Sequence, residues 1–186
     1  EQFLDWEWDI LHEEAIETKA EAVRGILAYL RGFIAEKQAA PDETLGSYIA
    51  NGSIDGKPLT DDEIIGMTWF LWLGGLDTVA STVSQMFRRL AMAPDLQARI
   101  RGDKSLINSA VEEFLRTQPL VNSGRKVKRD FEWHGVRIKA GDWVTVFNTS
   151  GNFDEAQFAC PHQFDPARSG NRHFTLAGGL HICLGA

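Results

Sequence analysis

Residues 60–83 read TDDEIIGMTWFLWLGGLDTVASTV. Thr60 and Glu63 have the spacing of a capping box, and Asp61 and Asp62 favour the positive end of a helix dipole. The helical pattern runs on to about Met92, where Pro94 stops it. The spacing predicts a helix over about 61–92, on the order of 45 Å long at ~1.5 Å per residue, enough to cross a whole domain. Inside it lie Gly74-Gly75-Leu76-Asp77-Thr78. Two mid-helix glycines each give up roughly 1 kcal/mol against alanine, so they imply either a group lying on bare backbone or a helix-packing notch. Gly74 and Thr78 are four apart, so the Thr78 hydroxyl faces the same space, and it can also bond back to the carbonyl four residues earlier and bend the helix.

Residues 64–83 are also long enough to span a bilayer. Asp77 at the centre would cost about 3 kcal/mol there, and acids at 61–63 and arginines at 88–89 flank the stretch closely. A helix buried in a large core is the expectation, with Trp69 and Trp72 as core residues.

Upstream, Ile16, Ala20, Val23, Leu27, Leu30 and Ile34 recur at helical spacing within residues 1–38. Pro41 and glycines 46, 52 and 56 then open a loop region holding a short helix near Leu45–Ala50 and a turn or small hairpin over 51–58. Downstream, short helices are predicted at Pro94–Arg101 and over about 105–117, the second stopped by Pro119. The period changes to two across 125–147, predicting strands at Arg125–Asp130, Val136–Lys139 and Trp143–Phe147. From 148 to 174 no period survives, and an irregular stretch of that length is functional or tightly tied down.

The chain has 186 residues, 44% hydrophobic and 24% charged, a composition that excludes disordered, collagen-like and disulfide-framework classes. Residues 1–60 hold 12 acids and 5 bases, whereas the remainder holds 14 of each, so the net charge of −7 sits in the first third. Such a balance gives nucleic-acid binding no general electrostatic support. Two cysteines are too few for a disulfide scaffold. With no basic region followed by an apolar core at the start, no signal peptide is expected and a cytoplasmic location is. The chain opens inside a helical pattern and stops just after a glycine-rich segment, so it reads as part of a longer protein.

Three motifs carry chemistry. Gly178-Gly179-Leu180-His181-Ile182-Cys183-Leu184-Gly185 puts a cysteine in a loop whose glycines allow backbone to approach a bulky group closely. Zinc would need paired ligands that are missing, whereas a metal supplying most of its own coordination, as in haem, needs one protein sulfur. Taken alone, an inert buried cysteine is the commoner case. Glu113 and Arg116 share a helix face and can pair, which at a surface is worth under about 1 kcal/mol. The Gly74–Thr78 segment is the third. Arg125 to Arg129 reads as a solvated strand edge, and Cys160, His12, His134, His162 and His173 show no metal-ligand spacing.

Taken in order, the Gly-Gly-x-Asp-Thr helix, Glu113-x-x-Arg116, Phe164-Asp165-Pro166-Ala167-Arg168 and Gly179-x-His181-x-Cys183-x-Gly185 resemble the cytochrome P450 family of haem-thiolate monooxygenases, in its soluble bacterial, camphor-hydroxylating form. The similarity runs from about Ser53 to Ala186, and residues 1–50 fit as ordinary helices of that fold. The resemblance implies a mainly α fold with a small β-sheet, equivalent to the carboxyl-terminal half of a single cytochrome P450 domain, with 148–186 as irregular segment and haem loop. It makes Cys183 the axial ligand of the iron of haem b, with Gly179 and Gly185 against the cofactor and His181 and Arg125 at its propionates. Glu113, Arg116 and Arg168 become a buried triad on the Cys-loop side of the core. Asp77 and Thr78 become the acid–alcohol pair of the oxygen-activation groove, and Phe70, Leu73, Gly74, Leu120 and Val121 line the substrate side. Two positions depart from the pattern: Leu176 and Ala177 stand where the family usually has Phe and Gly.

The implied activity is insertion of one oxygen atom of O₂ into an unactivated C–H bond, with electrons from reduced nicotinamide through a reductase and an iron–sulfur ferredoxin. The apolar lining, free of Arg and Lys, favours a small hydrophobic substrate such as a terpenoid. A non-catalytic or truncated haem-binding fragment is the alternative, and a peroxide-driven haem-thiolate enzyme a third, neither of which needs the Asp77–Thr78 pair.

Overall fold

A computed structural model describes residues 1–186. The chain divides into two compact units, Glu1–Ala80 and Ser81–Ala186.

In the first unit, α1 (Gln2–His12) packs on α2 (Ile16–Ala39). The helical pattern over 1–38 is thus met by two helices, because Glu13 takes an extended conformation (φ −65°, ψ 143°) that ends α1. Gly25 lies where α1 comes closest, since a Cβ there would sit 2.9 Å from the Trp6 ring. The fully buried line on α2 is Ala22, Ile26, Leu30 and Ile34, spaced by fours. Of the positions marked by periodicity, Leu30 and Ile34 join it, Val23 and Leu27 flank it, and Ile16 is exposed. Ile34, Ala50 and Ile64 form one cluster joining α2, α3 (Leu45–Ala50) and α4 (Asp61–Gly75). Between α3 and α4, the antiparallel ribbon of β1 (Ser53–Ile54) and β2 (Lys57–Pro58) is the hairpin expected from 51–58.

The long helix is interrupted. α4 ends at Gly75, Leu76 leaves helical geometry at φ −95° and ψ −80°, and α5 (Asp77–Ala91) follows. At its start the capping box is complete: the Thr60 hydroxyl accepts from the Glu63 N–H (3.3 Å), and the Glu63 carboxylate accepts from the Thr60 N–H (2.8 Å). Together α4 and α5 are long and apolar enough to cross a membrane by length and composition alone. The expectation of burial in a large core is not met within this chain. Only Ile64 of α4 is buried and nothing on α5 is: the cluster with Ile34 and Ala50 covers the start of α4, while farther along Trp72 meets the Phe3 ring edge-on at 6.3 Å and stays half-buried. Trp69 and Trp72 are half-buried.

In the second unit, α6 (Pro94–Gly102) is followed by a 3₁₀ turn at Lys104–Leu106 and then α7 (Ile107–Thr117), so the helix expected from 105 begins with a tighter turn. The β region is two antiparallel ribbons, not one sheet. β3 (Ser123–Lys126) pairs with β6 (Trp143–Val146), and β4 (Phe131–Trp133) with β5 (Val136–Ile138). The strand expected at 125–130 therefore starts and ends earlier, and Val127 turns inward and bonds through its N–H to the Asp142 carbonyl. A short helix α8 (Asn148–Asn152) opens the irregular stretch, and a 3₁₀ turn at Gly179–His181 leads to Cys183.

Because Thr60 fills the N-cap position, Thr60→Ala is expected to lower stability by about 1 kcal/mol, seen as a lower urea midpoint at unchanged slope.

Candidate functional site

α7 presents Ala110, Glu113, Phe114 and Arg116 on its buried face. Glu113 and Arg116 are each 0% exposed, which removes the surface salt bridge as a description. Both Glu113 oxygens accept from Arg116, Oε1 from Nη2 and Oε2 from Nε, at 2.8 Å. Arg168 Nε donates to Oε2 at 3.0 Å, the Asp165 N–H to Oε1 at 3.0 Å and Asn171 Nδ2 to Oε2 at 3.1 Å. The remaining arginine donors go to main chain: Arg116 to the carbonyls of Asn152 (2.7 Å) and Pro161 (2.8 Å), Arg168 to those of Ala159 (2.9 Å) and Gln163 (3.1 Å). The rings of Phe153 and Phe158 flank the Arg116 guanidinium at 5.4 and 5.0 Å. A buried ion pair is tolerable only when its spare donors and lone pairs are satisfied in this way. Burial alone would push the Glu113 carboxyl up, but the hydrogen bonds from Arg116, Asp165 and Arg168 outweigh it and hold it below the ordinary value.

Asn152, which periodicity could not mark, extends the network to the cysteine loop. Its Oδ1 accepts from the Phe174 N–H (2.7 Å), and its Nδ2 donates to the Arg116 carbonyl (3.0 Å) and to Thr175 Oγ1 (2.8 Å). Thr175 Oγ1 in turn donates to the Leu115 carbonyl (2.6 Å). From there the Cys183 N–H closes the loop onto the Leu176 carbonyl (2.9 Å), and the Gly185 N–H points at Cys183 Sγ (3.4 Å). Gly179 is left-handed at φ +71°, and Ala177 takes φ +61°, a conformation that glycine adopts without strain. Cys183 is an exposed free thiol surrounded in sequence by exposed Leu180 (96%), Ile182 (55%) and Leu184 (79%).

The other expected residues fall as follows. His181 ends the 3₁₀ turn and is exposed. Arg125 is exposed on β3, where its Nη1 donates to the Gly124 carbonyl (2.8 Å). Leu120 and Val121 follow α7, and Asn148 Nδ2 donates to the Val121 carbonyl (3.0 Å). In the first unit, Phe70, Leu73 and Gly74 occupy the last turns of α4, Phe70 being exposed. A Cβ built on Gly74 or Gly75 would meet no heavy atom within 4 Å, so neither glycine serves a packing notch against this chain. The Thr78 hydroxyl donates to the Gly74 carbonyl (2.7 Å), the back-bond to the residue four earlier. The Asp77 N–H donates to Glu7 Oε1 (3.1 Å), a partner that α1 gave no sequence reason to expect.

The helix order, and the cysteine loop anchored to a buried Glu-x-x-Arg pair, are those of the haem-binding class that the motifs resemble. Comparison with protein families matches residues 9–173 to Cytochrome P450. The chain is 33% identical over 193 aligned residues to the steroid C26-monooxygenase of Mycobacterium tuberculosis, covering all of this chain and 52% of that protein. Among solved structures it is similar to the cytochrome P450 PksS of the Bacillus subtilis bacillaene polyketide synthase (TM-score 0.93, 28% identity, 99% of this chain and 48% of that one). It is likewise similar to CYP109E1 of Bacillus megaterium in complex with testosterone (TM-score 0.88, 32% identity, 100% and 52%). The chain belongs to the cytochrome P450 family. It spans about half the length of the relatives it matches, and residues 9–50, which the motifs left as ordinary helices, lie inside the family match.

The family's cofactor is haem b, and the cysteine loop suits it. No group of three or more His, Cys, Asp or Glu side chains is placed to hold a bare metal ion. The loop offers one accessible sulfur, an amide donor to that sulfur and exposed aliphatic side chains on which a flat apolar macrocycle can lie.

Two predictions follow from the loop and its anchor. Relieving the left-handed alanine, Ala177→Gly should stabilise the fold by about 1–2 kcal/mol, read as a higher unfolding midpoint. Removing the Glu113 charge, Glu113→Gln should cost about 3–5 kcal/mol near neutral pH, since Arg116 is then buried unpaired. Because the folded carboxyl ionises below the ordinary value of 4.5, its contribution is complete above that pH and lost as pH falls through the lower folded value. The acid limb of a stability–pH curve should therefore be flatter in Glu113→Gln than in the parent.

Proposed function

We propose that this chain is part of a single cytochrome P450 domain that hydroxylates an unactivated C–H bond of a hydrophobic substrate, with one oxygen atom of O₂ going to product and the other to water. The observation that carries this reading is the exposed Cys183 thiol with the Gly185 N–H directed at its sulfur, on a loop tied through Asn152 and Thr175 to the buried Glu113–Arg116–Arg168 network. Haem b, when bound, supplies the redox-active iron at which O₂ is reduced and the C–H bond is oxidised.

Cys183 would hold that iron through its sulfur, with Gly179 and Gly185 keeping the loop backbone close to the macrocycle. His181 and Arg125 would hold the two propionates by charge and hydrogen bonding, and their exposure in this chain leaves both able to do so. Glu113, Arg116 and Arg168 act through position alone, fixing the segment that carries the cysteine. Asp77 would pass protons to Thr78 Oγ1, and Thr78 would hold and release them on the substrate side of the helix. For that the Thr78 hydroxyl exchanges its present acceptor, the Gly74 carbonyl, for a substrate-side one. Gly74 and Gly75, with open space over them, let that exchange take place beside bare backbone. Phe70, Leu73, Leu120 and Val121 would exclude water and select substrate by apolar surface.

Relatives named for steroid and polyketide chemistry widen the substrate class beyond terpenoids, while keeping it hydrophobic. Electrons would come from NAD(P)H through a reductase and an iron–sulfur ferredoxin, and the setting would be the cytoplasm, without nucleic-acid or membrane partners.

In the haem-loaded full-length protein, the reduced, carbon-monoxide-bound form should show the red-shifted Soret band of thiolate ligation, and Cys183→Ala should lose it. Thr78→Ala should keep NADH consumption but divert most of it to peroxide, and Asp77→Asn should slow turnover by about a hundredfold. Full coupling in Thr78→Ala, or product formed only with added peroxide, would overturn the monooxygenase reading.

A further inference from the structure

Glu7 is buried, a rare state for a glutamate, and its carboxylate is spent on a backbone N–H seventy residues away. That N–H belongs to Asp77, the first residue of α5. The interruption at Leu76 creates a new helix N-terminus in the middle of an otherwise continuous run, and a new N-terminus leaves its leading N–H groups without intrahelical acceptors. The Ala80 N–H donates to the Leu76 carbonyl (3.2 Å), whereas the Asp77 N–H reaches outside its own helix. Leu76, at the N-cap position, has no side-chain oxygen to offer it. Glu7 Oε1, at 3.1 Å from the Asp77 nitrogen, supplies the acceptor from a different helix. Its negative charge also lies at the positive end of the α5 dipole.

The same two residues bound the Thr78 back-bond. Gly74 is the next-to-last residue of α4, Thr78 is the second residue of α5, and the Thr78–Gly74 bond crosses the interruption. A shift of the Asp77 amide thus changes how Thr78 Oγ1 sits relative to the Gly74 carbonyl. We propose that Glu7 is a positioning residue: by accepting from the Asp77 N–H it holds the interrupted helix in the register that places Asp77 and Thr78 for proton delivery. The inference rests on the proposed role of that pair, but its structural half can be tested without it.

Two conservative variants separate acceptor from charge. Glu7→Gln keeps a carbonyl oxygen at the same reach and removes the charge. Glu7→Asp keeps the charge and withdraws the oxygens by one methylene. Amide hydrogen exchange at Asp77, measured on the protein both without and with haem, should be within about threefold of the parent in Glu7→Gln and at least tenfold faster in Glu7→Asp. With haem and a reconstituted electron-transfer chain, Glu7→Asp should also raise the share of NADH lost to peroxide at least threefold, at unchanged substrate KM, whereas Glu7→Gln should couple like the parent. Asp77 exchange in Glu7→Asp within twofold of the parent overturns the capping half of the proposal. Faster exchange with unchanged coupling overturns the functional half. Failure of the Asp77–Thr78 reading is recognised separately, because Thr78→Ala would then couple fully whatever Glu7 does to the Asp77 amide.

Discussion

The buried pair between Glu113 and Arg116 is the constraint on which the second unit depends. Two charges withdrawn from water must find a partner for every polar atom, and α7 itself can satisfy only the contacts between them. The rest come from Arg168, Asn171, the Asp165 amide and the carbonyls of Asn152 and Pro161. Those groups lie in the aperiodic stretch after β6, which has little apolar core of its own beyond Phe158, Pro161 and Pro166. Its shape is therefore set by electrostatic completion and not by packing of a hydrophobic face. The cysteine loop inherits its position from the same source, through Asn152 and Thr175.

The two units use backbone in opposite ways. On the cysteine side, irregular backbone is pinned by side chains that reach in from a regular helix. On the α4–α5 side, a regular helix is opened, and the amide and carbonyl on either side of the break are taken up by Glu7 and Thr78. Each unit carries one departure from regular main chain, the left-handed Ala177 in the second and Leu76 in the first.

Much of this was legible in the sequence because it rests on short-range rules. The capping box at Thr60 and Glu63, the stop at Pro94 and the pairing of residues three apart on α7 all depend on neighbours within one turn. What periodicity missed depends on distant partners. The break at Leu76 is invisible in an apolar run, because leucine is a good helix former and the acceptor that stabilises the break is Glu7. Asn152 carries no signal either, since its role is fixed by Arg116, Phe174 and Thr175 and not by its own surroundings in the chain. The core face of α2 was partly misassigned for a different reason. Apolar residues ring much of that helix, and only the packing of α1 against it selects Ala22 and Ile26 over Ile16 and Ala20.

Arg116 and Arg168 make most of their contacts to the irregular stretch through carbonyl oxygens at 152, 159, 161 and 163. A carbonyl is supplied by every amino acid, so those anchors place almost no demand on which side chains occupy the segment. The tether reads the path of the main chain and ignores its spelling. Such a segment can accumulate substitutions at its outward positions, altering charge, bulk or what it meets at the surface, while the cysteine loop beyond it stays in place. The buried arginines thereby separate the part of the molecule that must be held still from the part that is free to diversify.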